Sequence, residues 1–161
     1  MTRYAGLMEN DMANGKGFSV SFWVQGCPLH CPGCHNPQTW DFNGGMELPK
    51  DIYAQIDRAI LANGIHRNFS ILGGEPFCTE NITLTYQVLE HVRRTFPQIT
   101  IFAWSGQTLE WIKEQKNPLF QSALNMVNVL IDGPYDETQR DITLELRGSR
   151  NQRILYKGKD F

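Results

Sequence analysis

The order of hydrophobic periodicities along this chain constrains its fold more than any other feature. Stretches with the two-residue alternation of strands are separated by stretches with the spacing of amphipathic helices. Residues 18–25 alternate apolar and small polar side chains and read as a strand. Residues 51–62 place Ile52, Ile56, Ala59 and Ile60 on one helical face, and Asn63-Gly64 ends that helix. A strand over 68–72 closes on Gly73-Gly74-Glu75-Pro76, and a second helix using Ile82, Tyr86, Leu89 and Val92 runs to Pro97. A strand over 99–104 ends at Ser105-Gly106. A short helix around Leu109 and Ile112 stops near Asn117-Pro118, and residues 119–125 add a helical turn. A fourth strand, 127–131, ends at Asp132-Gly133-Pro134. Beyond it Ile142, Leu144 and Leu146 alternate like a strand, as do residues 153–156.

Strands alternating with helices imply a parallel sheet with crossover helices. A complete eight-stranded barrel needs ~250 residues, and this chain has 161. The expectation is one α/β domain over residues 1–161, either an incomplete (β/α) barrel or an open sheet. The loops of unusual composition all follow strands. In parallel α/β folds the carboxyl ends of the strands form the active face, so these loops are expected to converge on one rim.

Lys and Arg number 15 and Asp and Glu 17, a formal net charge of −2. That balance lacks the basic footprint of a nucleic-acid or anionic-membrane binder. The first eleven residues are too polar for a secretion signal, and no apolar run approaches the ~18 residues of a membrane span. The expected setting is the cytoplasm, with reduced thiols. There clustered cysteines bind metal more often than they form disulfides. Three of the four cysteines form Cys27-Pro-Leu-His-Cys31-Pro-Gly-Cys34, a C-x3-C-x2-C loop. Three thiolates would leave one iron of a [4Fe–4S] cluster without a protein ligand, and an open metal position can take a substrate or cofactor. His30 and His35 keep a Cys3His zinc site open as an alternative, and unliganded thiols are a third reading. Cys78 reads as a buried free thiol. Paired glycines at 73 and 74 allow unusual backbone angles and close approach of a ligand, and Glu75 can accept from an ammonium group. The plainer reading of that segment is a tight turn. Asn14-Gly15-Lys16-Gly17 lacks the spacing of a phosphate loop.

The C-x3-C-x2-C loop after the first strand and Gly73-Gly74-Glu75 after the second together resemble the radical S-adenosylmethionine (SAM) superfamily. Within it, four stretches resemble the activating proteins of anaerobic (class III) ribonucleoside-triphosphate reductases: 14–17, 25–40, 128–133 and 146–152. Lys16 departs from the usual proline of the first stretch, and His35 from a common tyrosine. The resemblance implies an incomplete barrel of the radical SAM type with a mostly parallel, curved sheet. It implies that Cys27, Cys31 and Cys34 hold a [4Fe–4S] cluster whose electron cleaves SAM to a 5′-deoxyadenosyl radical. That radical takes hydrogen from a glycine of the reductase, the glycyl-radical partner. Gly33, Cys34 and His35 are expected on SAM near its adenine, and Gly73, Gly74 and Glu75 at its methionyl amino end. Ser105 and Asp132 are expected near its ribose or carboxylate. No protein general base is expected. A one-electron donor such as flavodoxin is implied; nucleic acid and membrane are not. Two alternatives stand beside this: an activase of another glycyl-radical enzyme such as pyruvate formate-lyase, and a zinc-stabilised Cys3His binding module. The basic tail, with Arg147, Arg150, Arg153, Lys157 and Lys159, reads as a solvated face or as a docking face for the reductase.

Overall fold

The computed structural model describes residues 1–161. Its strands are β1 (Arg3–Asp11), β2 (Ser19–Val24), β3 (Met46–Glu47), β4 (Asn68–Gly73), β5 (Ile101–Trp104), β6 (Val129–Asp132) and β7 (Arg153–Tyr156). Its helices are α1 (Ile52–Leu61), α2 (Ile82–Thr95), α3 (Leu109–Lys113) and α4 (Pro118–Asn125). All seven strands join one sheet in the order β3-β1-β2-β4-β5-β6-β7. The central run β2-β4-β5-β6 is parallel throughout. Both flanks are antiparallel: β1 pairs with β2 and β3, and β7 pairs with β6. The expected α/β class holds, and the sheet is mostly but not wholly parallel.

Side chains alternate between the two faces of each strand, and this sheet uses its faces differently. Val20, Phe22, Val24, Phe69, Ile71, Ile101, Ala103 and Leu130 face one way. They pack with Ile52 and Ile56 of α1, Val88 and Leu89 of α2, and Phe120 and Leu124 of α4 in one 27-residue core. Phe22 and Phe69 are fully buried there, each contributing about 1.5–3 kcal/mol relative to exposure. The opposite face carries a smaller cluster of Phe102, Val129 and Ile131, with Trp104, Leu146 and Ile154 against it. On β2 and β4 that same face turns polar, with Ser19, Ser21 and Ser70 all buried. One face is thus the scaffold and the other is free to hold a site.

One expected strand is absent, and two strands appear that the sequence did not announce. Residues 142–146 are turns and bends. Asp141 Oδ1 accepts from the Thr143 N–H at 3.0 Å and its hydroxyl at 2.5 Å, which curls the chain. Leu146 sits at φ 62°. The apolar alternation instead puts Leu144 and Leu146 on a cavity while Ile142 stays exposed. Conversely, β1 and β3 were not anticipated.

Candidate functional site

The loop after β2 is held by its own backbone. The Gly26 N–H donates to Thr39 O at 2.7 Å and the Cys27 N–H to Trp40 O at 3.1 Å, which brings the two ends of the cysteine loop together. The buried Gln25 amide donates to Gln38 O and Asp41 O from below. Within the loop the Cys34 N–H donates to Cys31 O at 3.1 Å. His30 and Gly33 take left-handed conformations. Cys27, Cys31 and Cys34 are free, half-buried thiols. All three line one cavity of about 400 Å³ at the carboxyl ends of the parallel strands, a size within the ~300–1,000 Å³ of small-molecule sites. Burial pushes the Cys27 and Cys31 thiols up. Backbone amides of Leu29 and His30 oppose this at Cys27, and that of Tyr135 at Cys31. The Asn36 N–H lies 3.4 Å from Cys34 Sγ. Amides aimed at sulfur stabilise thiolates and tune iron–sulfur centres.

The three sulfurs line the cavity without converging as ligands of one ion would: no three His, Cys, Asp or Glu side chains share such a point. A tetrahedral zinc needs that convergence, whereas in a cluster each thiolate meets its own iron. Of the two histidines in the zinc reading, His30 stacks on Trp40 at 4.6 Å and does not line the cavity, while His35 does. The donor set fits a [4Fe–4S] cluster with three protein ligands. Cys78 lies behind the site, 2% exposed, with its Sγ–H donating to Glu75 O at 3.2 Å. Burial pushes that thiol up to about 12.

The glycine pair has a structural cause. The Gly74 N–H donates to Val24 O at 3.0 Å and the Glu75 N–H to Gly26 O at 2.9 Å, so the turn after β4 continues the sheet onto the cysteine loop. A Cβ on Gly73, at φ 116°, would lie 2.6 Å from Val24 O. A Cβ on Gly74 would overlap Gly26 O and stand 3.0 Å from Thr39 O. No other residue lets these two backbones touch.

Glu75 reaches the cavity wall, but its carboxylate is occupied. It is 1% exposed. Oε1 accepts from the Phe77 N–H at 2.8 Å and the Ser105 hydroxyl at 2.7 Å, and Oε2 from the Gly106 N–H at 2.6 Å. Burial raises its pKa to about 7 against those donors. Ser105, also on the cavity, is thereby tied to Glu75. Gly73, Gly74, Cys34 and His35 line the same space. Gly33 and Asp132 do not. Gly33 turns against the Glu137 side chain. Asp132, fully buried, caps α3 by accepting from the Leu109 N–H at 2.7 Å and binds Arg153 through Nε at 2.9 Å and Nη2 at 2.5 Å.

The far wall comes from residues 133–152; Asp132-Gly133-Pro134 was expected on the rim, whereas residues 135–152 were not expected in the site. Trp104 Nε1–H donates to Leu146 O at 2.7 Å. Gln152 accepts from the Gly148 and Ser149 amides and donates to Gly133 O. Tyr135 packs beside His35, ring centroids 5.1 Å apart, and Gly148 lies beneath both. The one hint in the sequence was the stretch Leu146–Gln152, dense in residues that bind backbone.

The family model described as a 4Fe-4S single cluster domain matches residues 13–155. The chain is 31% identical to an anaerobic ribonucleoside-triphosphate reductase-activating protein of Salmonella typhi, covering 96% of this chain and 98% of that one. It is 32% identical to the protein of the same name from Escherichia coli (strain K12), over 91% and 93% of the two chains. It is 30% identical to that of Enterobacteria phage T4, over 94% and 92%. With its three cavity-lining thiols inside the matched cluster domain, this chain belongs to the family of anaerobic ribonucleoside-triphosphate reductase-activating proteins.

Proposed function

We propose that this chain is a radical SAM activating enzyme that generates a glycyl radical on the anaerobic ribonucleoside-triphosphate reductase. The observation that carries the reading is the placement of three cluster thiols and the Gly73-Gly74 turn on one cavity at the carboxyl rim of a parallel sheet. When bound, a [4Fe–4S] cluster with an open iron supplies the electron that cleaves SAM to a 5′-deoxyadenosyl radical, which takes a hydrogen atom from glycine. Cys27, Cys31 and Cys34 would hold the cluster. The Gly73-Gly74 backbone borders the space for the methionyl end of SAM. His35 and Tyr135 offer aromatic surface for its adenine. Trp23, Leu72 and Trp104 on the sheet floor keep water from the reacting centre.

The finer reading of the fold is an incomplete barrel of the radical SAM type, formed by residues 1–161 as one domain. The four parallel strands, with antiparallel strands on both sides, support it. The target follows the names of the relatives. A one-electron donor such as flavodoxin and a cytoplasmic setting complete the proposal; no helix is long and apolar enough to cross a membrane.

The test is anaerobic incubation of iron-loaded protein with SAM, reductant and the reductase. The expected result is 5′-deoxyadenosine together with a glycyl doublet in electron paramagnetic resonance that requires all components. Iron-loaded protein that yields neither would refute the proposal.

A further inference from the structure

Arg147 is the one arginine or lysine lining the cavity. The sequence assigned it to a basic tail on the surface, but the fold turns it inward on the wall formed by residues 133–152. Its Nη1–H donates to Gln152 O at 3.0 Å. Its Nε is buried and meets no acceptor. A buried donor without a partner is costly. The Nε–H and one Nη2–H of a guanidinium point the same way and form a two-pronged edge shaped for a carboxylate. Here Nη1 is anchored on Gln152 and Nε is closed off, so Nη2 is the prong left for a ligand.

The group is also held in place. Gln152, whose carbonyl anchors Arg147, is fixed by its side chain to Gly133 O at 3.1 Å and to the Gly148 N–H at 3.0 Å. Gly133 directly follows β6, so the guanidinium is referenced to the sheet. No carboxylate sits in ion-pair contact with it; Asp141, in the turn outside the cavity, feels its charge only at longer range. Glu75, the one carboxylate on the lining, is engaged by Phe77, Ser105 and Gly106. Asp132 is paired with Arg153.

We propose that Arg147 is a binding residue of the cavity whose guanidinium, with Nη2 as its free donor, receives the α-carboxylate of the methionyl end of SAM. This rests on the SAM reading above, since the methionyl carboxylate is the only carboxylate that cofactor carries. Arg147 thereby takes the role expected of the region of Asp132, whose own carboxylate is occupied.

The experiment measures equilibrium binding, without reductant, to the anaerobically iron-loaded protein. The ligands are SAM and its decarboxylated analogue; the proteins are wild type, R147M and R147K. Iron content and cluster absorbance report that each variant is loaded. R147M is expected to lose about ten- to a hundredfold in affinity for SAM and little for the decarboxylated analogue. R147K, which keeps the charge but lacks the planar edge, is expected to fall between. An equal loss for both ligands in R147M, or no loss for SAM, overturns the assignment of Arg147 alone. Loaded wild type that binds neither ligand overturns the SAM reading and the assignment with it.

Discussion

Glu75→Gln separates the two forces acting on the buried carboxylate behind the glycine turn. Burial raises the Glu75 pKa from its ordinary ~4.5 to about 7, against three hydrogen-bond donors. A carboxylate whose folded pKa exceeds its unfolded one takes up protons on folding between the two values. Its contribution to stability is therefore full below about pH 4.5 and declines as pH rises through about 7. Between pH 5 and pH 8 the wild type should lose about 2–3 kcal/mol through this one group, at ~1.36 kcal/mol per pKa unit. Glutamine does not titrate, but its amide nitrogen cannot accept from the Gly106 N–H, which now donates to Oε2 at 2.6 Å. At pH 5 the variant should thus be weaker by ~1 kcal/mol; by pH 8 the order should reverse. Anaerobic urea unfolding of both iron-loaded proteins at the two pH values gives the difference directly, since every other titrating group cancels. A difference that stays constant from pH 5 to pH 8 would show that the Phe77, Ser105 and Gly106 donors outweigh burial, and the reasoning would be wrong.

Gly74→Ala drives a methyl group into Gly26 O beside the first cysteine; it should cost about 1–3 kcal/mol and lower iron retained per chain, read by elemental analysis. Cys31→Ser should lose the cluster absorbance, whereas Cys78→Ala should keep full iron and lose only ~1 kcal/mol from the buried thiol and its bond to Glu75 O. Asp132→Asn weakens the Arg153 pair and the cap on the Leu109 N–H. It should lower stability by about 1–3 kcal/mol and leave the ratio of SAM to decarboxylated-analogue affinity unchanged, measured by equilibrium binding.

The central strands were legible because their residues are buried on both faces and so form dense apolar runs: residues 68–72 match β4 to within a residue. Strand β1 was not, because Arg3-Tyr-Ala-Gly-Leu-Met-Glu-Asn-Asp11 has no steady alternation. Its register with β2 shifts twice, after Tyr4 and after Met8, and each irregularity moves side chains to the other face. Its strand character comes from its partner. Residues 142–146 misled in the opposite sense: alternation reports which side chains seek cover, and a turn over a cavity can satisfy it as a strand does. In the site, the cysteines and glycines were legible because their chemistry or sterics act at their own positions. The functions of Glu75, Ser105 and Asp132 side chains were not, since each is engaged by a group 2 to 31 residues away. Arg147 was read as part of a surface tail because local charge density cannot tell an arginine on a surface from one turned inward.

The two halves of the cavity lie far apart along the chain. The cysteine loop ends at Cys34, and the wall that supplies Tyr135, Arg147 and Gln152 starts about a hundred residues later. At ~5–20 residues per second of synthesis, the thiols leave the ribosome some ~5–20 seconds before the Tyr135 amide can face Cys31. During that interval the loop has its sulfurs but neither its far wall nor its floor, which β5 and β6 have yet to complete. An iron donor that acts on the nascent loop therefore meets open thiols, and one that acts after release meets a formed pocket.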